Sequence, residues 1–576
     1  MKNGDRMNVL LTTLNAKYIH KNLALRYLYV TRPEGWVCEI KEFTIKDKIE
    51  RIAQELLLRT DDVIGFSVYI WNVEQTKELI AMLKKQRPEV RIVIGGPEVS
   101  FDGTYFLENW DVDAVICGEG EFAFWEYLTT LGSKKAIDGV YTKDYIPAKG
   151  YAMVDLSQLE QYPNPYFLPF DEADLGKRYF YMETSRGCPY HCQYCLSSVQ
   201  GRVRMFSETY VTNILNQVFQ KPIRQIKFLD RTFNVDKARA LRVAKYIQEH
   251  ARPEQVFQFE IMAEYVGDDL ISYLAAKPPF PKFRFEIGIQ STNEPTLREI
   301  QRYQNFDRLT DVIHRLQKSQ ESELHVDLIA GLPFETLTVF RRSFNEVFAL
   351  YADEVQLGFL KLLRGTSLRS NYQKYGMEYD SQAPYEIRKT AWMSEQDLQE
   401  VHEVCFALEA LYNSGRCKDT IKALLKHESH TPYQLFALLG KTLSARKYKQ
   451  IDELFAQVAD TLAPVYGLSY VQSLLAMEYY QLFKQKPKRF YPFQIDDEKR
   501  KQCYESLMKL GYSRNELMHY GMFDQTVYQG SPAYLFVLYH KDQIYPKRYI
   551  VDFHTNTAYD CKESKYDISC SDTKQA

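Results

Sequence analysis

The sequence predicts an α/β protein in three parts: a Rossmann-like, doubly wound sheet, a central group of six strand–helix repeats, and a mainly helical C-terminal domain with a short strand-rich tail. Short apolar runs alternate with helical patterns over residues 8–130 and again from 178 to about 375. Helical patterns then continue without intervening strands from 394 to about 482. The predicted boundaries are 1–135 for the first domain, 136–177 for a linker, 178–375 for the second domain and 376–576 for the third.

The N-terminal pattern predicts five strands of one parallel sheet. The strands are expected at 8–14, 36–43, 62–69, 91–94 and 113–117. The helices between them are expected at 23–30, 48–59, 73–86 and 121–131. Alternation of this kind is typical of a sheet with helices on both faces, and ligands of such sheets bind at the carboxyl ends of the strands.

Small residues fall at those carboxyl ends. Ser67 follows the third strand, Gly95 and Gly96 follow the fourth, and Gly118 and Glu119 follow the fifth. Glycines at these places let the backbone approach a large planar or anionic ligand closely. The same glycines would also serve as ordinary strand-to-helix turns, so the pattern alone leaves both interpretations open.

The segment 184–195 contains three closely spaced cysteines, Cys188, Cys192 and Cys195, in a C-x3-C-x2-C arrangement. Three thiolates this close can hold three corners of a 4Fe–4S cube and leave the fourth iron open to a substrate or cofactor. The alternative is a zinc knuckle that also uses His191, but structural zinc usually takes ligand pairs from two separated loops. We find no second Cys/His pair nearby in the sequence.

This cysteine motif resembles that of the radical S-adenosylmethionine (SAM) superfamily, in which the open iron binds SAM and an electron from the cluster cleaves it to a 5′-deoxyadenosyl radical. Tyr194 matches the aromatic residue that the superfamily places near the adenine. The resemblance implies a partial (β/α)6 barrel with its active site at the carboxyl ends of the strands. The matching strands are expected at 179–184, 225–230, 257–261, 283–289, 324–329 and 354–360.

The same resemblance assigns SAM contacts to side chains on these strands. The expected contacts are Asp230, Glu260, Glu286, Gln290 and Ser291. Asp230 would accept from the SAM amino group, Glu260 would face the ribose or the core, and the other three would reach the ribose hydroxyls and the carboxylate. A carboxylate at a strand end is also commonly a helix cap or a partner for an arginine such as Arg231 or Arg302. No catalytic residue beyond the cluster cysteines is assigned.

In order and spacing, the N-terminal segment resembles the cobalamin-binding domain that precedes the catalytic domain in one radical SAM class. The matching pieces are 15–20, 67–72, 94–98 and 117–122. The Asp-x-His-x-x-Gly motif that supplies a cobalt ligand in other cobalamin proteins is absent, because His20 is followed by Lys-Asn-Leu. Tyr69 and Trp71 would therefore lie under the corrin, or else fill the core beneath the sheet.

The resemblance as a whole implies a cobalamin-dependent radical SAM enzyme that methylates an unactivated carbon, with a 4Fe–4S cluster, SAM and cobalamin as cofactors. The alternative is a non-methylating enzyme of the same class. A cobalamin-sensing regulator is disfavoured by the intact cysteine motif. A tRNA-modifying methylthiotransferase is disfavoured because Cys38 and Cys117 are the only cysteines in the N-terminal domain.

The overall charge and hydropathy of the chain bear on whether it binds nucleic acid or membranes. A formal net charge of -2 gives no electrostatic case for a large nucleic-acid surface. No apolar run approaches the ~20 residues that span a bilayer, and the N-terminus lacks the apolar region of a signal peptide. We therefore expect a cytoplasmic protein. The resemblance to radical SAM enzymes further implies an electron donor such as flavodoxin or ferredoxin. The sequence does not name the substrate.

Overall fold

The computed structural model describes most of the chain. The described residues are 7–131, 135–276, 282–318, 322–448, 450–484, 497–528, 531–539, 546–552, 555 and 557–560. They fall into two compact units, Met1–Glu395 and Gln396–Ala576. Within the described ranges, every helix is too short or too polar to cross a membrane.

The first sheet of the first unit has six strands in the order β2-β1-β3-β4-β5-β6. The strands are β1 (Asn8–Asn15), β2 (Val37–Thr44), β3 (Val63–Ser67), β4 (Arg91–Gly95), β5 (Ala114–Ile116) and β6 (Val140–Thr142). The helices are α1 (Leu23–Val30), α2 (Ile49–Leu57), α3 (Val73–Gln86), α4 (Gly103–Asn109) and α5 (Gly120–Thr129). Strands β1 to β5 are parallel, as predicted. Consecutive residues of β1, such as Val9 and Leu10, belong to two different apolar clusters. The sheet therefore has a core on each face.

The segment predicted as a linker contributes regular structure. β6 pairs antiparallel with β5, and helix α6 (Leu156–Leu159) follows it. Helix α4 was also not predicted. β6 was not predicted because Val140–Thr142, between Gly139 and Lys143, belongs to no apolar or alternating run. The domain boundaries themselves stay predictions.

The second sheet forms the partial barrel, with six parallel strands in the order β14-β13-β12-β11-β10-β7. The strands are β7 (Phe180–Met182), β10 (Gln225–Phe228), β11 (Val256–Ile261), β12 (Lys282–Gln290), β13 (Ser322–Ala330) and β14 (Glu354–Phe359). Between β7 and β10 in the sequence, β8 (Ser185–Arg186) and β9 (Arg204–Met205) form a small antiparallel ribbon. The predicted fold class and all six barrel strands are confirmed.

Helices connect the barrel strands. They are α7 (Glu208–Gln220), α8 (Lys237–His250), α9 (Asp268–Ala276), α10 (Glu294–Glu299), α11 (Phe306–Gln317), α12 (Leu337–Phe348) and α13 (Ser367–Ser370), followed by the strand pair β15 (Glu378–Tyr379) and β16 (Ile387–Lys389). On β12, Phe283, Phe285 and Ile287 are buried, whereas Arg284 and Glu286 between them are partly exposed. The apolar side chains therefore pack on the helices, and the polar ones face the barrel interior.

The second unit is helical and ends in a sheet, as predicted. Its helices are α14 (Glu395–Ala407), a π-helical turn (Leu408–Asn413), α15 (Lys418–Leu425), α16 (Pro432–Leu443), α17 (Ile451–Tyr466), α18 (Leu468–Leu482), α19 (Asp497–Met508) and α20 (Arg514–Tyr520). Its antiparallel strands are β17 (Gly521–Tyr528), β18 (Ser531–Leu538), β19 (Lys547–Asp552) and β20 (Thr557–Asp560). The π-helical turn ends at Asn413, and α15 begins at Lys418.

Candidate functional site

The three cysteines lie in the loop that joins β8 to β9. Cys188 and Cys192 are buried and Cys195 is half-buried. Gly187 opens the loop with a φ of 94°, in the left-handed region that favours glycine. Burial raises the pKa of the Cys188 thiol, and the neighbouring Cys195 and Cys192 act in the same direction. The Cys188 sulfur thus lies close enough to the other two cysteines for their charges to act on it.

Among the described residues, no three His, Cys, Asp or Glu side chains converge on one point that could hold a metal ion. In a 4Fe–4S cube each of the three thiolates binds a different iron, so the three sulfurs do not converge on one ion. The donor set and its spacing fit the cube.

Arg302 is a cluster-site residue whose role the sequence did not indicate. Its Nη1 lies 3.8 Å from the sulfur of Cys192 and 3.4 Å from the Tyr194 hydroxyl. Its Nη2 donates to the carbonyl of Gly288 on β12. Arg302 has no hydrogen-bonded carboxylate partner among the described residues, and its remaining polar contacts are with the Gln304 side chain and the Met262 sulfur. A buried guanidinium beside Cys192 favours the thiolate that an iron ligand requires.

Asp230 does not face an open site. Its carboxylate is fully buried and accepts from the Thr184 amide at 3.0 Å, the Thr184 hydroxyl at 2.5 Å and the Ser185 hydroxyl at 2.6 Å. These donors lie just before the cysteine loop. The observed role of Asp230 is thus to fix the start of that loop, and its expected contact with the SAM amino group stays a prediction.

Glu260 and Glu286 lie side by side on the inner face of the barrel, paired in register on β11 and β12. Glu260 pairs with Arg231 at 3.5 Å, and burial raises the pKa of the Glu260 carboxyl. Glu286 accepts from the Gln258 amide and lies 3.9 Å from Nδ1 of His325. Both carboxylates are partly exposed, so a ligand in the barrel can reach them.

Gln290 and Ser291, at the end of β12, point to different environments. Gln290 has a φ of 70°, and its Oε1 is buried without a hydrogen-bond partner among the described residues. A strained backbone and an orphaned buried acceptor mark a ligand-contact candidate. Ser291 is completely buried and donates to Glu335 at 2.5 Å. The predicted contact of Ser291 with SAM stays a prediction, and the structure shows its hydroxyl engaged with Glu335.

One open cavity of about 610 Å³ lies at the carboxyl ends of the first sheet. All seven residues that the sequence proposed for cobalamin line it: Ser67, Tyr69, Trp71, Gly95, Gly96, Gly118 and Glu119. Its opposite wall is formed by the barrel and the cysteine loop, through Tyr181, Arg231, Gly187 and Ser197 among others. The cavity thus adjoins both candidate cofactor sites.

Tyr69 and Trp71 form a stacked pair in this cavity, with ring centroids 4.4 Å apart and an interplanar angle of 10°. Trp71 is 45% exposed, and its indole donates to the Leu14 carbonyl at 3.2 Å. The Tyr69 hydroxyl accepts from Asn22 at 3.0 Å. An exposed ring held in place at its edge does not fill a core, so the alternative interpretation fails for Trp71.

His20 also lines the cavity, although it lacks the motif of cobalt-ligating histidines. Its Nδ1 lies 2.6 Å from the Tyr181 hydroxyl. Burial lowers the pKa of the His20 imidazole, and the charge of Lys227 lowers it further. The ring is therefore neutral at pH 7.

Glu119 lines the cavity but is not free to bind a ligand through its carboxylate. The Val154 amide donates to its Oε2 at 2.7 Å, and Arg204 and Arg186 pair with it. Its predicted role as a direct cofactor contact thus competes with a structural one.

Three family models match separate parts of the chain. Residues 9–128 match the B12 binding domain, residues 182–347 match the radical SAM superfamily, and residues 373–530 match a family described as a protein of unknown function (DUF4080). The chain carries a B12-binding domain and a radical SAM domain. These two domains confirm the predicted cofactors: cobalamin for the first, and SAM with its 4Fe–4S cluster for the second.

Among its relatives, the chain is similar to the cobalamin-dependent radical SAM methyltransferase TokK from Streptomyces tokunonensis, with 28% identity over 49% of this chain and 44% of TokK. It thus spans less than half the length of the curated relatives it matches. Its fold is similar to that of OxsB, a cobalamin-dependent SAM radical enzyme, with TM-score 0.58, 15% identity and coverage of 89% and 83% of the two chains. It is also similar to TsrM from Kitasatospora setae, solved with cobalamin and a 4Fe–4S cluster, with TM-score 0.55, 17% identity and coverage of 66% and 78%.

Proposed function

We propose that this protein is a cobalamin-dependent radical SAM methyltransferase that acts on an unactivated carbon. The proposal rests on one cavity of about 610 Å³, which adjoins the B12-binding loops, the barrel mouth and the cysteine loop. When bound, SAM and cobalamin supply the radical and the methyl group. The sequence similarity to TokK supports methylation as the outcome.

The chain's own residues have three tasks in this reaction. Cys188, Cys192 and Cys195 would hold the cluster, with Arg302 stabilising the thiolate of Cys192. The inner-face carboxylates of the barrel and the orphaned acceptor of Gln290 would orient SAM. The glycine loops of the first sheet would let the corrin approach the backbone, and the cavity wall would exclude water from the reacting groups.

The first test is the cluster. Anaerobic reconstitution should give about four irons and four sulfides per chain. The triple variant Cys188→Ala, Cys192→Ala, Cys195→Ala should hold none, because all three protein ligands are removed. Full iron loading of that variant would show that the cluster lies elsewhere.

The second test separates methylation from the non-methylating alternative and needs no substrate. Reduced, cluster-loaded protein is incubated with SAM, with and without hydroxocobalamin. A methyltransferase should release S-adenosylhomocysteine only when cobalamin is present. Release of 5′-deoxyadenosine without any S-adenosylhomocysteine would favour the non-methylating enzyme. The fold does not decide between these, since TsrM and OxsB are only 17% and 15% identical to this chain.

The place of Tyr69 and Trp71 beneath the corrin is part of the same proposal. Their stacked rings lie at the carboxyl end of β3, where a flat macrocycle resting on the sheet would meet them. An indole offers no lone pair to cobalt. We also propose a cytoplasmic location, since a reducing compartment suits free thiols, and electron supply by a flavodoxin or ferredoxin. No nucleic-acid or membrane partner is proposed.

A further inference from the structure

The loop that carries the cluster cysteines is held at both ends by one carboxylate of the cavity. Arg186 and Arg204 flank this loop, and they face each other in the β8–β9 ribbon. Both guanidinium groups reach Glu119, which follows β5: Arg204 through Nη2 and through Nη1 at 3.0 Å, and Arg186 through Nη1 at 3.7 Å. Glu119 therefore connects a cavity loop with both ends of the cysteine loop.

The connection is buried and charged. Arg186 makes further ion pairs with Glu121 at 2.7 Å and Glu183 at 3.0 Å. The side chains of Arg186 and Glu119 are only 10% and 8% exposed. Buried ion pairs are screened little by solvent, and loss of one partner leaves an uncompensated charge. Any displacement of this network is therefore energetically costly, which makes it a stiff link.

We propose that Glu119 is a positioning residue that couples cobalamin binding to the cluster site. Glu119 and Glu121 line the cavity in which cobalamin binds, and the same carboxylates fix the ends of the cysteine loop. A ligand that orders the Gly118–Glu121 loop thereby orders the cysteine loop as well. Coupling of this kind is reciprocal, so the cluster must raise cobalamin affinity by the same factor. The inference rests on the proposed function only in requiring that both cofactors bind.

The chain offers a matched control one strand away. Glu98 follows β4 as Glu119 follows β5, and it is 4% exposed. It accepts from the Tyr385 hydroxyl at 2.5 Å and pairs with Arg364 at 3.4 Å. Glu98 thus also ties a loop of the first sheet to the barrel side of the unit, but neither partner belongs to the cysteine loop.

The experiment measures cobalamin affinity in two forms of the full chain. Hydroxocobalamin is titrated by equilibrium dialysis against cluster-loaded protein and against protein freed of iron by anaerobic chelation. In the unmodified protein we expect the loaded form to bind at least about fivefold more tightly, the low end for coupled sites. In Glu119→Gln this ratio should fall to about one, while Glu98→Gln should keep it.

A spectroscopic readout accompanies the titration. The electron paramagnetic resonance signal of the reduced cluster should change when cobalamin is added to the unmodified protein and to Glu98→Gln, but not to Glu119→Gln. If Glu119→Gln does not fold, as judged by its thermal melt, Arg204→Lys replaces it. A lysine keeps the charge but cannot span two carboxylate oxygens, so the ratio should again decrease.

Equal affinity in the loaded and iron-free forms of the unmodified protein would overturn the coupling and leave the proposed function standing. If the ratio of the two cobalamin affinities is unchanged in Glu119→Gln, or is lost equally in Glu98→Gln, the coupling arises from general docking of the two sheets and not from Glu119. If neither the cluster-loaded nor the iron-free protein binds cobalamin, the proposed function is contradicted instead.

Discussion

Glu335 is a buried carboxyl whose ionisation should set much of the pH dependence of stability. It is completely buried and accepts from Ser291 at 2.5 Å and from Ser343 at 3.4 Å. Its second oxygen has no hydrogen-bond partner among the described residues. Burial raises the pKa of the Glu335 carboxyl to about 8. The hydrogen bonds from the two serine hydroxyls lower this pKa, but by less than burial raises it. The folded protein therefore holds this carboxyl protonated at pH 7.

The sign and size of the effect follow from the two pKa values. Between the ordinary value of 4.5 and the folded value of about 8, the folded state keeps a proton that the unfolded state has released. The free energy of unfolding therefore falls as the pH rises through this window and levels off above pH 8. With about 1.4 kcal/mol per pKa unit, the loss between pH 5 and pH 8 is about 3 kcal/mol.

The perturbation is Glu335→Gln. The amide oxygen can still accept from Ser291 and the side-chain volume is kept, but nothing ionises. We expect the thermal midpoint of the variant to rise relative to the unmodified protein as the pH goes from 5 to 8, with little difference at pH 5. Glu346→Gln on α12 is the control, since the Glu346 side chain is 41% exposed, and it should follow the unmodified protein. Parallel curves for Glu335→Gln and the unmodified protein would refute the assignment of a buried, protonated carboxyl.

Two further predictions concern the cobalamin cavity. A Cβ on Gly95 would meet only Ile116 at 3.5 Å, so Gly95→Ala should fold normally and weaken hydroxocobalamin binding in equilibrium dialysis with the cluster intact. Gly96 has a φ of 108° and its Cβ would lie 2.6 Å from the Val68 carbonyl, so Gly96→Ala should lower stability by about 1–3 kcal/mol in thermal melts; equal stability of the two variants would contradict this. Bound cob(II)alamin should show no nitrogen superhyperfine splitting, and Trp71→His should alter its spectrum; splitting in the unmodified protein would refute an indole-facing cobalt.

The parallel strands could be predicted from sequence because each lies within an apolar or alternating run. All five parallel strands of the first sheet and all six of the barrel lie where the pattern placed them. β6 was missed because Val140–Thr142, between Gly139 and Lys143, belongs to no such run. It is recognised only through its pairing with β5, a contact between segments that are far apart in sequence.

The candidate site was predicted at the level of residues but not of side-chain partners. The cysteine loop and the seven cavity residues could be found because motif spacing fixes their places on the chain. The side-chain partners of Ser291 and Asp230 were not predicted, because a strand-end polar group can turn towards either the ligand or the core. Their partners, Glu335 and Thr184, lie 44 and 46 residues away, and no local pattern links them.

A general rule follows for the search for SAM contacts in this barrel. Side chains on the inner face of a parallel barrel strand repeat every second residue, so Arg284, Glu286 and Gly288 share one face of β12. Glu286 and Glu260 follow that parity and are accessible, whereas Ser291 lies beyond the strand end and is buried. Gln290 is two residues beyond Gly288 but is buried, because its φ of 70° turns the chain at the barrel mouth. Ligand contacts should therefore be sought among inner-parity residues and at this strained turn, rather than at every polar strand end.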